Sequence, residues 1–256
     1  MTSQHMLTLI PVFIFGACVG SFLNVCIHRI PRKKSIVSPG SACPVCNKPI
    51  PFYANIPVFS YFALKGRCLF CRAPISKRYP LVEALTGIAG VLICLRFGLT
   101  PRAAVWFAFA ATLLMISFID LDFQIIPDVI SIPGIVIFSL LAYFVLDMPM
   151  SAIGYGILTG GGILYVVALM YYLIRKQEGM GGGDIKLLAM IGAVTGVPGV
   201  LFTLFAGSVF GTIAGIGGML LDPEKGGQMR IPFGPFLSAG AIMYVFYGDA
   251  VIRWYV

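Results

Sequence analysis

The chain has 256 residues, of which 59% are hydrophobic and only 11% are charged, and its formal net charge is +8 at pH 7. A soluble domain of this size could not hide so much apolar surface, so the composition excludes an ordinary soluble fold and predicts an all-α protein with several transmembrane helices. The basic excess does not indicate a nucleic-acid partner, because the positions of the basic residues explain it as membrane topology.

The chain holds about eight apolar runs of suitable length for spanning helices. They lie at about residues 6–27, 80–96, 103–119, 129–146, 151–174, 185–195, 199–221 and 236–254. We expect a first transmembrane helix at 1–27, a cytoplasmic loop domain at 28–79 and a multi-helix membrane core at 80–256.

Basic residues set the predicted orientation. Ten of the 18 Lys and Arg residues lie between Arg29 and Arg78, where no acid accompanies them. Because positively charged loops stay on the cytoplasmic side, this stretch is predicted to be cytoplasmic and suited to anionic lipid headgroups. Alternating the spans from it places 15 basic residues inside and 3 outside, with both termini outside.

The first two spans carry small and polar residues in regular positions. Gly16 and Gly20 are four residues apart, a spacing that allows helices to approach closely. Asn24 and His28 lie one turn apart at the inner end of the first span, and Glu83 lies just inside the second. Each of these polar residues either caps or borders a helix or belongs to a site, and the sequence leaves both interpretations open.

The cytoplasmic loop contains two CxxC pairs. Cys43 and Cys46 form the first and Cys68 and Cys71 the second, with 21 residues between the pairs. Four thiolates at this spacing predict a tetrahedral zinc site like that of a zinc ribbon. Two disulfides are the alternative, but a cytoplasmic loop is kept reduced. Because four cysteines leave no open coordination position, the predicted zinc is structural rather than catalytic.

Three acids follow the third span. Asp120 continues the apolar helix, whereas Asp122 lies roughly 200° around the helix from it, so both cannot face one pocket if the helix persists. Asp128 follows a proline and precedes an apolar run, where a helix cap is expected. Asp120 is therefore the catalytic candidate, Asp128 is predicted to cap the fourth span, and the role of Asp122 stays open.

A glycine cluster ends in another acid. Gly181, Gly182 and Gly183 precede Asp184, which borders an apolar segment. An acid at the edge of a membrane span is costly to desolvate, so Asp184 is a candidate site residue. The glycines are predicted to form a supporting loop that lets backbone approach a substrate. If the two spans end on one membrane face, Asp120 and Asp184 form an aspartyl protease pair.

Six ordered blocks resemble the type IV prepilin peptidase family, whose members are membrane aspartyl proteases and N-methyltransferases. The blocks are GSFLNVCIHRIPR at 20–32, the two CxxC pairs, KRYPLVEALTG at 77–87, IDLDFQIIPD at 119–128, GMGGGDIKLLAMIGA at 179–193 and IPFGPFL at 231–237. The GxGD signature of the family matches residues 181–184, and its other catalytic aspartate matches Asp120. Two departures are Gly182, where relatives often have a bulkier residue, and Phe123, where many have His.

The resemblance implies an aspartic endopeptidase of the bacterial inner membrane. Its substrates would be prepilins or pseudopilins of type IV pilus and type II secretion systems, cut after a glycine at the cytoplasmic face. It also implies methylation of the new N-terminus with S-adenosylmethionine. Nothing in the sequence reads as a Rossmann-type donor site, so the methyl-transfer site is expected beside the zinc-bearing loop at Asn24, His28 and Glu83. The substrate, the oligomeric state and the identity of the base stay open.

Two other classes fit parts of the pattern. A polytopic transporter would also carry membrane-buried acids and glycine-rich helices, but it predicts internal repeats that the two halves do not show. A zinc-dependent interaction protein with a membrane anchor would explain the cysteines and leave Asp120 and Asp184 without a task.

Overall fold

In the computed structural model, residues 3–177, 181–221 and 231–255 are described. Residues 178–180, which include the start of the predicted glycine-rich block, and residues 222–230, which include most of the predicted inner loop, lie outside the described residues. The helices are α1 Ser3–Arg29, α2 Phe59–Ala63, α3 Arg78–Phe97, α4 Pro101–Phe123, α5 Asp128–Phe144, α6 Met150–Arg175, α7 Gly182–Leu221 and α8 Gly234–Tyr255. The predicted all-α polytopic fold is confirmed.

The described residues contain five helices that are long and apolar enough to cross a membrane. These are Thr8–Arg29, Arg78–Phe97, Pro101–Phe123, Met150–Arg175 and Gly182–Leu220, and Asp128–Phe144 is a shorter apolar helix. The count of eight spans stays a prediction. The chain separates into two compact units, Met1–Met115 and Ile116–Val256, so that α4 begins in the first and ends in the second.

The first unit is built on close packing of α1 against α3. A Cβ atom added at Gly16 would lie 2.8 Å from Gly87 Cα, and one added at Gly20 would lie 2.7 Å from Glu83 Cα. The predicted packing role of these two glycines is therefore confirmed. The backbones of α1 and α3 are in contact at these glycines. Asn24, one turn beyond Gly20 on α1, is therefore buried in the interface between the two helices.

The second unit contains a sharp bend inside α7. Gly196 has φ 65° and ψ −171°, and Pro198 follows it. In a straight helix residues eight apart are about 12 Å apart along the axis, yet a Cβ at Gly192 would lie 2.9 Å from Val200 Cγ2. The chain therefore folds back at Gly196, at the boundary predicted between the sixth and seventh spans. The first segment begins at Gly182, three residues before the predicted start.

The second segment of α7 packs antiparallel against α8. A Cβ at Gly207 would lie 3.2 Å from the Phe236 carbonyl oxygen, and one at Gly211 would lie 3.7 Å from the Phe233 ring. These contacts confirm the packing face predicted for the glycines of this segment. Because α7 folds back at Gly196, the start of α7 and the start of α8 lie at the same end of the unit.

Candidate active site

Asp120 lies in the last turn of α4 and is only 5% exposed. Its Oδ2 atom accepts a hydrogen bond of 3.0 Å from the Gly234 N–H. Since α4 continues to Phe123, Asp122 points elsewhere and is exposed. The helical argument that separated Asp120 from Asp122 is therefore confirmed in its geometry: one acid is inside the unit and the other faces out.

Asp184 lies in the first turn of α7 and is partly buried. Its carboxyl group is close enough to Asp120 for the two charges to interact. The positive end of the α7 dipole also lies at this position and favours an acid there. The structure thus brings together the two acids, 64 residues apart in the sequence, that were singled out as a pair.

Ile126 contacts both the start of α7 and the start of α8. It is buried, and a Cβ added at Gly183 would lie 2.8 Å from its own Cβ. A Cβ added at Gly234 would lie 3.3 Å from Ile126 Cδ1. The start of α7 and the start of α8 therefore both rest on this one side chain, which fixes where Asp184 lies relative to the Asp120 carboxyl.

The three glycines before Asp184 differ in what they do. Gly182 and Gly183 form the first residues of α7, whereas all three were expected in a loop. A side chain at Gly182 would meet nothing within 4 Å, and one at Gly181 would have only ordinary contacts. Of the three glycines, only Gly183 lies where close packing leaves no room for a side chain.

An ion pair ties the start of α7 to the start of α5. Lys186 Nζ lies 2.6 Å from Asp128 Oδ1, and both side chains are partly exposed. The predicted capping role of Asp128 is wrong by one residue, because Pro127 occupies the N-cap position and Asp128 is the first helical residue. There it complements the helix dipole.

Sequence reasoning missed Gly234. The residue lies at the head of α8 and donates its N–H to Asp120 from 114 positions further along the chain. A glycine followed by a proline at the start of an apolar helix was the available signal. Nothing in the spacing connects that signal with Asp120.

The four loop cysteines form one cluster built from two similar segments. Asn47 N–H bonds to the Cys43 carbonyl, and Arg72 N–H bonds to the Cys68 carbonyl. Asn47 and Arg72 also share a positive φ, 55° and 60°. Isolated β-bridges close the two segments at equivalent positions, Ala42 with Pro49 and Arg67 with Pro74. Each segment therefore folds as a tight turn that presents two thiols.

The geometry of the cluster fits a tetrahedral metal. The four Sγ atoms lie within 4.8 Å of one another, and Cys43 Sγ is 3.8 Å from Cys71 Sγ. Sulfurs that share one zinc lie about 3.8 Å apart, given Zn–S bonds of about 2.3 Å. All seven cysteines of the chain are free thiols, so the disulfide alternative is not adopted.

Backbone N–H groups lower the pKa of two thiols in the cluster, whereas the pKa of a third is raised. The N–H groups of Cys71 and Phe70 lower the pKa of Cys68 to about 6, and those of Cys46 and Val45 lower the pKa of Cys43. The Ala73 N–H acts likewise on Cys71, but burial and the other three thiols outweigh it and raise that pKa to about 11. A bound cation would stabilise all four cysteines as thiolates.

Two of the three residues expected at the methyl-transfer site are buried in the first unit, one on α1 and one on α3. Asn24 is 2% exposed and donates its Nδ2 to the Tyr79 carbonyl at 3.0 Å, while its Oδ1 atom is buried without a partner. Glu83 is 8% exposed, and its Oε2 atom accepts a 2.7 Å hydrogen bond from the Val58 N–H. His28 is exposed.

An all-α membrane chain with two neighbouring aspartates at helix ends fits the class of GxGD-type intramembrane aspartyl proteases. Two family models match it: the Bacterial Peptidase A24 N-terminal domain at residues 14–97 and the Type IV leader peptidase family at residues 107–216. The chain belongs to the type IV leader peptidase family, and it is a multi-pass protein of the inner membrane.

Similar proteins carry the name prepilin leader peptidase/N-methyltransferase. One from Aeromonas salmonicida is 37% identical, over 96% of this chain and 92% of that protein. One from Pseudomonas aeruginosa is 33% identical, over 100% and 96%, and one from Neisseria gonorrhoeae is 33% identical, over 94% and 91%. No solved structure matches the chain. These comparisons give the transporter alternative no support.

Proposed function

We propose that this protein is an aspartic endopeptidase that removes the leader peptide of prepilins or pseudopilins and then methylates the new N-terminus. The names of its relatives support both activities. The observation that carries the peptidase assignment is geometric: the buried Asp120 carboxyl bonds to Gly234, and both Gly234 and Gly183, the neighbour of Asp184, pack against Ile126.

Asp120 and Asp184 act as a dyad. Two neighbouring carboxyl groups share one proton, because like charges a few ångström apart resist double ionisation. The ionised carboxylate takes a proton from a water molecule, which attacks the scissile carbonyl carbon, while the protonated partner donates to the carbonyl oxygen. Collapse of the tetrahedral intermediate releases the amine with a proton from the dyad. The glycine run 181–183 directly precedes Asp184, and its last residue packs on Ile126, which holds the acid in position.

The dyad works at the cytoplasmic face, with both termini outside. The basic residues between Arg29 and Arg78 favour this orientation and suit anionic lipid headgroups. A substrate with an apolar helix can lie in the membrane with its cleavage site at the level of the dyad. The proposed division into a first helix at 1–27, a loop domain at 28–79 and a membrane core at 80–256 follows the same topology.

We assign a structural zinc ion to Cys43, Cys46, Cys68 and Cys71. Four thiolates would complete its coordination, so it would supply folding energy to the loop rather than Lewis-acid chemistry. The close spacing of the sulfur atoms supports this assignment.

Methyl transfer is proposed at Asn24, Glu83 and His28. S-adenosylmethionine would supply the methyl group. The buried Asn24 Oδ1 lacks a donor and Glu83 presents a buried carboxyl, so both suit the amino group of the methyl donor or of the cleaved peptide. Glu83→Gln should reduce methyl transfer to a peptide with a free N-terminus while leader cleavage persists. Methylation at the unmodified rate would remove Glu83 from the site.

The peptidase assignment is tested with purified protein in detergent and a prepilin substrate. Asp120→Asn and Asp184→Asn should each abolish cleavage while the protein stays folded, because either change breaks the shared-proton pair. Asp147→Asn is the matched control: Asp147 is exposed in the turn between α5 and α6, and its φ of 58° suits asparagine. Cleavage that persists in either dyad variant would remove the dyad mechanism.

A further inference from the structure

The first residue of α8 is joined directly to one of the two acids. The leading N–H groups of a helix have no acceptor within the helix, and the Gly234 N–H uses the Asp120 carboxylate, at 3.0 Å, as its acceptor. The next residue, Pro235, has no N–H, and Phe236 N–H bonds back to the Phe233 carbonyl. Gly234 is thus the residue through which the start of α8 holds Asp120.

The contact leaves no room for a side chain. A Cβ atom at Gly234 would lie 2.7 Å from Asp120 Oδ2 and 3.3 Å from its Cγ, with Ile126 Cδ1 also at 3.3 Å. Separations below 3.0 Å require something to move, and the acid is the nearest group. A side chain at this position would therefore displace the Asp120 carboxyl group.

We propose that Gly234 is a positioning residue for the peptidase reaction. Its N–H fixes Asp120 Oδ2, which leaves Oδ1 as the oxygen that exchanges protons with water and the scissile carbonyl. This inference rests on the proposed peptidase function. It gives α8 a direct part in the geometry of the dyad, although neither acid of the dyad lies on α8.

The first test compares Gly234→Ala with Gly162→Ala in leader cleavage. Gly162 lies in α6, where an added Cβ meets nothing within 4 Å, so its variant should cleave normally. Gly234→Ala should lower kcat by about 100-fold, the scale of a 1 Å displacement of a reacting group, and leave KM unchanged. An unchanged kcat, or a loss that lies entirely in KM, would overturn the proposal.

Asp120→Asn separates this proposal from the peptidase assignment. If Asp120→Asn cleaves normally, the dyad itself is wrong and the positioning role falls with it. If Asp120→Asn is inactive and Gly234→Ala is fully active, only the positioning role is wrong.

A double-mutant cycle tests whether the two residues act on each other. Gly234→Ala should lower the thermal unfolding midpoint of the wild-type protein, since the new methyl group displaces the carboxyl. In an Asp120→Ala background that group is gone, so the same change should lower the midpoint less. Equal lowering in both backgrounds would show that Gly234 does not act through Asp120 and would overturn the proposal.

Discussion

The cysteine cluster of the first unit and the acid pair of the second both gather side chains that repel one another when ionised. The cluster is local: each of its two turns supplies two thiols within four residues and repeats the same backbone hydrogen bonds. The acid pair is distributed, because Asp120, Asp184 and the Gly234 N–H come from three helices. The cluster should therefore depend on a metal, whereas the acid pair should depend on how closely helices pack.

Metal content gives the largest expected effect. A Cys43→Ser, Cys68→Ser protein should fall from about one zinc per chain to none, because each turn loses a ligand of a four-thiolate site. Elemental analysis after purification measures this, and limited proteolysis should show the loop cut more readily. Cys94→Ser is the control, since Cys94 lies in α3 away from the cluster. Unchanged zinc in the double variant would place the metal elsewhere.

Helix packing beside the dyad gives the next effect. Gly183→Ala places a Cβ 2.8 Å from Ile126 Cβ, so the residue before Asp184 must shift, and cleavage should fall by about 10- to 100-fold. Gly182→Ala is the matched control, because its new methyl group meets nothing within 4 Å. Equal losses in the two variants would indicate that the glycine run acts through flexibility, as a loop would, and not through packing.

The same contrast explains what the sequence could predict. The zinc-type cluster follows from spacing within short segments, and the choice of Asp120 over Asp122 follows from helical periodicity, so both were accessible. The start of α7 at Gly182 could not be predicted from the sequence. Glycine favours a loop, and the packing of Gly183 on Ile126 overrides that preference. The bond from Gly234 to Asp120 joins residues 114 apart, which no local pattern reports.

Close packing of α1 against α3 should stabilise the first unit independently of the cysteine cluster. Gly20→Ala brings a Cβ 2.7 Å from Glu83 Cα, and backbone can yield little, so overpacking should cost about 1–3 kcal/mol of unfolding free energy. Thermal unfolding in detergent measures the loss, with zinc content expected to stay unchanged. Gly162→Ala should not be destabilised. A Gly20→Ala protein that also lost zinc would show that the cluster and the α1–α3 packing are not independent.

The ion pair between Lys186 and Asp128 gives the smallest effect. Since both side chains are partly exposed, Lys186→Gln should cost about 0–1 kcal/mol of stability and slow cleavage only slightly, with the difference vanishing at high salt. Asp128→Asn should behave alike, and the double variant should be no worse than either single one. If Lys186→Gln lost as much cleavage activity as is expected of Asp184→Asn, Lys186 would have to act on the reaction itself. An ion pair that only holds the starts of α5 and α7 together cannot account for so large a loss.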